Sequence, residues 1–190
     1  MSLSTWWTGP LKSDPDFEQL LKVLRREVPE RPVLFEFFHN DPLYTKLAAG
    51  ADVEPGSSEE KVIAFRNAGY DYATILPSDF AFLGGEHDRA QTISLNEGSV
   101  IRDRASFESY PWPDPATADF SPLERAAALL PDGMKAVSQG PCGVLENVTS
   151  LVGFDNLCFL LADDPELTQE IFDAVGSRLV NYYQSLVQHD

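Results

Sequence analysis

The chain has 190 residues, 43% of them hydrophobic, with 30 acidic against 14 basic side chains and a formal net charge of −16. That length suits a single domain spanning residues 1–190, with enough apolar content for a real core. A surface this acidic repels phosphate backbones and anionic lipid, so no nucleic-acid or membrane partner is expected, and a polyanionic ligand would need a local basic pocket.

The two cysteines, Cys142 and Cys158, have neither CxxC spacing nor a histidine cluster beside them, so they read as reduced thiols of a cytoplasmic protein. No basic-then-apolar leader opens the chain, and its apolar runs fall far short of a membrane span.

Asp14-Pro15 reads as an N-cap followed by an N1 proline, and Phe17, Leu20, Leu21 and Leu24 then share one helical face. Pro29 and Pro32 end that helix. Residues 33–38, apolar except for Glu36, predict a strand buried on both faces, as in parallel sheets. His39-Asn40-Asp41-Pro42 closes the strand, and a short helix through Tyr44 and Leu47 follows. Ser57-Ser58-Glu59-Glu60 has the form of a capping box for a helix through Val62, Ile63 and Phe65, with Gly69 as its C′ residue. Residues 72–76 predict a second strand, stopped by Pro77-Ser78-Asp79-Phe80. A helix joined tightly to a strand implies βαβ packing with a right-handed crossover.

Residues 91–95, the turn Asn96-Glu97-Gly98 and residues 99–103 predict an inserted β-hairpin. Prolines at 111, 113, 115 and 122 make the next stretch irregular. Ser121-Pro122-Leu123-Glu124 reads as a second capping box, its helix ending near Pro131, and Asp132-Gly133 turns into a third strand at 134–137. Residues 139–153, beginning Gln139-Gly140-Pro141-Cys142-Gly143, then form a Gly/Pro turn leading into a helix. Asp163-Asp164-Pro165-Glu166 opens the most periodic helix of the chain, through Leu167, Ile171, Val175, Leu179, Tyr182, Tyr183 and Leu186.

Four stretches carry a resemblance. They are Arg31-Pro32-Val33-Leu34-Phe35, the run from Ala68-Gly69-Tyr70 to Pro77-Ser78-Asp79, the Gln139–Gly153 stretch, and Asp163-Asp164-Pro165-Glu166-Leu167. In order and spacing, over residues 31–187, they resemble the N-terminal half of the uroporphyrinogen decarboxylase family, whose superfamily includes cobamide-dependent methyltransferases. The resemblance implies an α/β chain of the (β/α)8 TIM-barrel type, a partial barrel with an inserted hairpin. It implies a lyase or a methyltransferase linked to tetrapyrrole, porphyrin or corrinoid metabolism. The decarboxylase branch requires no cofactor. The methyltransferase branch uses zinc and cobamide, and its C-terminal His and Cys zinc ligands have no counterpart in this chain. The family's arginine-rich turn after the first strand is replaced by Phe37-Phe38-His39-Asn40-Asp41, so the chain is expected not to bind an octa-acidic tetrapyrrole. A partial barrel exposes strand edges, which points to a homo-oligomer, to completion by another chain, or to a non-catalytic binding or assembly module.

Asp79 and His39, each just past an expected strand end, are the candidate catalytic residues, because side chains there face the pocket of such folds. Asp79 serves equally well as a helix N-cap, and His39 as a loop histidine bonded to backbone. Glu36, Gly140, Pro141 and Glu146 are the candidate substrate-binding residues. Glu36 is either a paired carboxylate in the barrel interior or an outward residue meeting a helix cation. Glu146 lines the pocket or simply favours its helix N-terminus. Gly140 and Pro141 set turn geometry, and Cys142 beside them reads as an inert thiol. His39, Asp79 and Glu146 are at wide spacing for a metal, and none is assigned. Trp6, Trp7 and Tyr110-Pro111-Trp112 read as core packing or as a lid.

Overall fold

A computed structural model describes residues 14–85 and 95–189, which divide into two compact units. The first comprises the chain up to Ser78 together with Phe120–Gln139, and the second Asp79–Asp119 together with the chain from Gly140 onward.

In the first unit, α1 (Phe17–Leu24) begins two residues later than Asp14-Pro15 suggests. Asp16 caps it, accepting from the Glu18 N–H at 3.1 Å and from Gln19 Nε2 at 2.7 Å. Asn40 caps α2 (Asp41–Leu47), the short helix expected through Tyr44 and Leu47. Ser57 caps α3 (Ser58–Asn67) by accepting from the Glu60 N–H at 3.1 Å. The Glu60 carboxylate turns back to the Gly56 N–H at 2.7 Å, one residue further than in a strict capping box. Gly69, at φ 88°, supplies the left-handed exit from α3 that its sequence position predicts.

Strand β1 (Tyr72–Ile75) follows and is buried along its whole length. After α5 (Ser121–Ala127) comes β2 (Lys135–Ser138), which pairs parallel with β1, Tyr72 opposite Lys135 and Ile75 opposite Ser138. α3 packs on β1 and on α5, burying Val62, Phe65, Tyr72 and Ile75. α5 departs from the predicted capping box. Its N-cap is Phe120, with no side-chain cap; Ser121 and Pro122 open the helix, which stops at Ala127.

The partial (β/α)8 barrel is not what the chain forms: among the described residues, β1 and β2 make a two-stranded sheet and no third strand joins them. The stretch 33–38 forms no strand and bends at Phe37, with Phe35 53%, Phe37 59% and Phe38 67% exposed. The reason lies in Tyr72. Its hydroxyl accepts from the Glu36 N–H and donates to the Glu36 C=O, both at 2.7 Å. One side chain thus takes up the two backbone groups that a neighbouring strand would need.

The second unit is helical: α4 (Arg104–Ser109), a 3-10 turn (Pro115–Thr117), α6 (Val144–Val152), α7 (Phe154–Asp163) and α8 (Pro165–Leu186). Asp103 and Ser106 form a complete capping box on α4. Gly153, at φ 83°, ends α6 and lets α7 leave at 95°. Asp164 and Pro165 open α8 as expected. Val148, Leu151, Val152, Leu157, Ile171 and Val175 are central to the core. The first arm of the predicted hairpin lies mostly outside the described residues, as do Trp6 and Trp7. The second arm is not a strand, because the Val100 and Ile101 N–H groups donate to the Leu151 carbonyl at 2.8 and 2.9 Å. Among the described residues, no single helix is long and apolar enough to cross a membrane.

Candidate functional site

The turn that the sequence marks by its Gly/Pro spacing is one wall of an apolar groove of about 520 Å³ in the second unit. Cys142, Gly143 and Val144 form that wall, and Leu179 and Tyr183 of α8, with its C-cap Val187, form the other. Gly140 permits the approach. A Cβ there would overlap the Tyr183 hydroxyl and stand 2.7 Å from Cζ. Asn147, one turn into α6, donates from Nδ2 to the carbonyls of Cys142 and Gly143 at 2.9 Å each, which fixes the curvature of the turn.

The groove is chemically simple. No Lys or Arg lines it; its polar groups are the Cys142 thiol, the Tyr183 hydroxyl and the Gln184 amide. Its volume lies in the range of small-molecule sites, which are mostly apolar with a few orienting polar groups. Gln184 also borders a hollow of about 300 Å³ shared by Asp114, Asn181, Ser185 and Gln188. An apolar body in the groove and a polar tail in the hollow would therefore meet on either side of one residue.

Pro141 is half-buried in the same turn, and Glu146 is exposed in the first turn of α6. The Glu146 carboxylate folds back over the turn, so a Cβ on Gly143 would lie 2.5 Å from Oε2. Asp79 is exposed, and its Oδ1 accepts from the Asp119 N–H at 3.2 Å, closing the base of the 79–119 excursion. No helix starts at Asp79. Glu36, in the first unit, has an exposed side chain, so the cost of burying its carboxylate does not arise.

His39 is half-buried in the first unit among three rings: Phe65 at 4.7 Å, Tyr70 at 5.4 Å and Tyr44 at 5.5 Å between centroids. Its backbone N–H donates to the Tyr44 hydroxyl at 2.9 Å, while Nε2 is buried without a partner. Burial lowers its pKa from the usual value, against a weaker pull upward from Glu36. Tyr110 is buried, and Trp112 lies half-buried under the Arg178 guanidinium, 4.7 Å from the ring centroid. That patch is packing in this structure. Burial lowers the Arg178 pKa, while its guanidinium donates to the Pro113 and Ala174 carbonyls.

Among the described residues, no three His, Cys, Asp or Glu side chains gather closely enough to hold a metal ion. The zinc of the methyltransferase branch therefore has no donor set among them; Cys142 and Cys158 are exposed, unpaired thiols.

The helix side of the groove was not read from the sequence. Leu179, Tyr182 and Tyr183 fall in the periodic stripe of α8, which reads as core. A second row, Gly176, Val180, Tyr183 and Val187, also repeats at helical spacing and faces the groove. Two apolar rows on one helix were the available signal. Compared with protein-family models, with curated proteins and with solved structures, the chain matches none of them.

Proposed function

We propose that this chain is a small-molecule-binding protein of the uroporphyrinogen decarboxylase-like lyase and methyltransferase group, taking a ligand with an apolar body at the groove of the Gly140–Gly143 turn. The observation that carries the binding reading is the groove itself, about 520 Å³ and walled by turn and helix. Assignment to the group rests on the sequence resemblance. The parallel register supports it, since Ile75 lies opposite Ser138 and the two strands therefore end at the same edge. The absence of a cation from the lining argues against an octa-acidic tetrapyrrole as ligand. The unpaired exposed thiols fit a cytoplasmic setting.

The test is calorimetric titration with uroporphyrinogen, methylcobalamin and monocarboxylated pyrroles, repeated on Gly140→Val. The expected result is binding of a weakly charged probe, weakened at least tenfold by the substitution, with no micromolar binding of uroporphyrinogen. Micromolar uroporphyrinogen binding, or failure of every probe at millimolar concentration, overturns the proposal.

A second reading, self-association, is favoured by the exposed run Leu34, Phe35, Phe37 and Phe38. Light scattering after size exclusion tests it. A dimer that Phe37→Asp/Phe38→Asp returns to monomer supports it, and a monomeric parent refutes it.

A further inference from the structure

The box around His39 is built from three elements: Tyr44 of α2, Phe65 of α3 and Tyr70 just before β1. Tyr44, Phe65 and Tyr70 are buried, and Phe65 touches both tyrosines, with centroids 6.2 Å from Tyr44 and 4.9 Å from Tyr70. Inside the box, Nε2 meets no acceptor. A neutral imidazole tolerates this at the cost of one unmade hydrogen bond. An imidazolium fares worse, because Nε2 then carries an N–H of a charged ring with no acceptor in reach. The ring faces return part of that cost through cation–π attraction.

We propose that His39 is an acid-sensitive latch, whose protonation releases the stretch from residue 31 to residue 47 from α3. Its two ends are anchored, Arg31 by its ion pair with Asp71 and Leu47 by a carbonyl that accepts from Asn67 Nδ2 at 2.8 Å, and the residues between those anchors are the part free to open. Its backbone is unpaired through 33–38 apart from the Tyr72 clasp on Glu36, and its aromatic side chains are exposed. The charged surroundings do not rescue the imidazolium. Glu36, on the same stretch, favours the proton but is exposed, and burial outweighs it. Tyr44 and Tyr70 contribute phenols whose own pKa values are raised by burial. Asp41 of α2 and Glu60 of α3 act on Tyr44 and on Lys61 of α3, whose pKa burial lowers against their upward pull.

The sign follows from linkage. The pKa of folded His39 lies below the usual 6.5, so its neutral form supports the closed state above that value. The support is lost as pH falls from 6.5 toward the folded value. The opening constant of this segment then rises by up to about tenfold between pH 7.5 and pH 5.5.

Two measurements on the full chain test this. Hydrogen exchange, corrected for intrinsic rates, should show protection of the Tyr44 and Ala48 amides falling toward that tenfold limit over this range. His39→Phe, which keeps a ring in the box and cannot titrate, should abolish the fall. An NMR titration of the unmodified chain should place the His39 imidazole below 6.5, which requires no variant to fold. Unchanged protection, a His39 pKa at or above 6.5, or a fall that persists in His39→Phe each overturns the proposal.

Discussion

The ion pair between Arg31 and Asp71 permits a quantitative prediction, because its two partners are buried so unequally. The Asp71 side chain is 1% exposed and that of Arg31 is 40% exposed. Asp71 accepts from both terminal nitrogens of Arg31, with Nη1 to Oδ2 at 3.0 Å, and from the Asp16 N–H at 2.8 Å. It thereby ties the start of α1 to the residue before β1. Removing Arg31 strands a buried carboxylate with one remaining donor. Removing the Asp71 charge leaves a cation that water already reaches. Breaking a fully buried pair costs roughly 3–5 kcal/mol when the partner left behind stays buried. Arg31→Met, which keeps the aliphatic stem, should therefore cost about 3 kcal/mol. Asp71→Asn keeps an acceptor for Asp16 and leaves a solvated guanidinium, so about 1.5 kcal/mol is expected.

The assay is urea unfolding of each single variant and of the double variant at pH 7. For changes that leave the m-value alone, the shift in midpoint reads the energy directly. In the double variant the penalty of Arg31→Met should shrink, because no carboxylate remains to be stranded. If Asp71→Asn proves as costly as Arg31→Met or more so, the reasoning from unequal burial is wrong. If the two penalties simply add, the ion pair does not couple the residues at all.

Other substitutions probe the turn, the cap and the groove. Gly133 sits at φ 80°, and a Cβ there would overlap the carbonyl oxygen of Pro15. Gly133→Ala should lower unfolding free energy by about 3 kcal/mol, half from the left-handed backbone and half from the clash; a loss under about 1 kcal/mol would contradict that geometry. Hydrogen bonds from the Ser106 N–H and hydroxyl hold the pKa of Asp103 below its usual 3.8. Its contribution to stability is therefore present above that value and lost as pH falls through the folded one. The melting-temperature gap between parent and Asp103→Ala should accordingly close below pH 3.8, and a gap that widens on acidification would refute the cap. Val180 is 54% exposed on the groove side of α8, so Val180→Asp should leave stability within about 0.5 kcal/mol while reducing Nile red fluorescence enhancement. Undiminished dye binding would show that the groove is not the apolar site of this unit.

Local capping chemistry carried most of what could be read of the fold. Ser57 and Gly69, with Asp164 and Pro165, sit where their side chains or φ preferences place them, because capping depends only on near neighbours. Strand pairing depends on distant ones. Residues 33–38 and 72–75 have the same apolar character, yet only the second pairs. The difference is a long-range contact, the Tyr72 hydroxyl on both backbone groups of Glu36, which no local pattern encodes. The two helices missed, α4 and α7, fail for another reason. α4 is short and only its Phe107 packs against the core, so it carries no apolar stripe, and α7 is separated from α6 only by the turn at Gly153.

The groove shows the same division at the scale of a site. Its turn side was legible because Gly140, Pro141 and Gly143 announce a tight bend ahead of a helix. Its helix side was not, since an outer apolar row looks like ordinary surface until something faces it. α8 buries one row, Leu167, Ile171, Val175 and Leu179, in the core of its unit. Its other row, Gly176, Val180, Tyr183 and Val187, meets the turn only in part, with Val180, Tyr183 and Val187 54%, 42% and 69% exposed. A helix apolar over so wide an arc gains fully from burial only with a second partner on that side. The turn supplies half of one, held open at Gly140 by the Tyr183 ring. A small molecule with an apolar body would supply the rest.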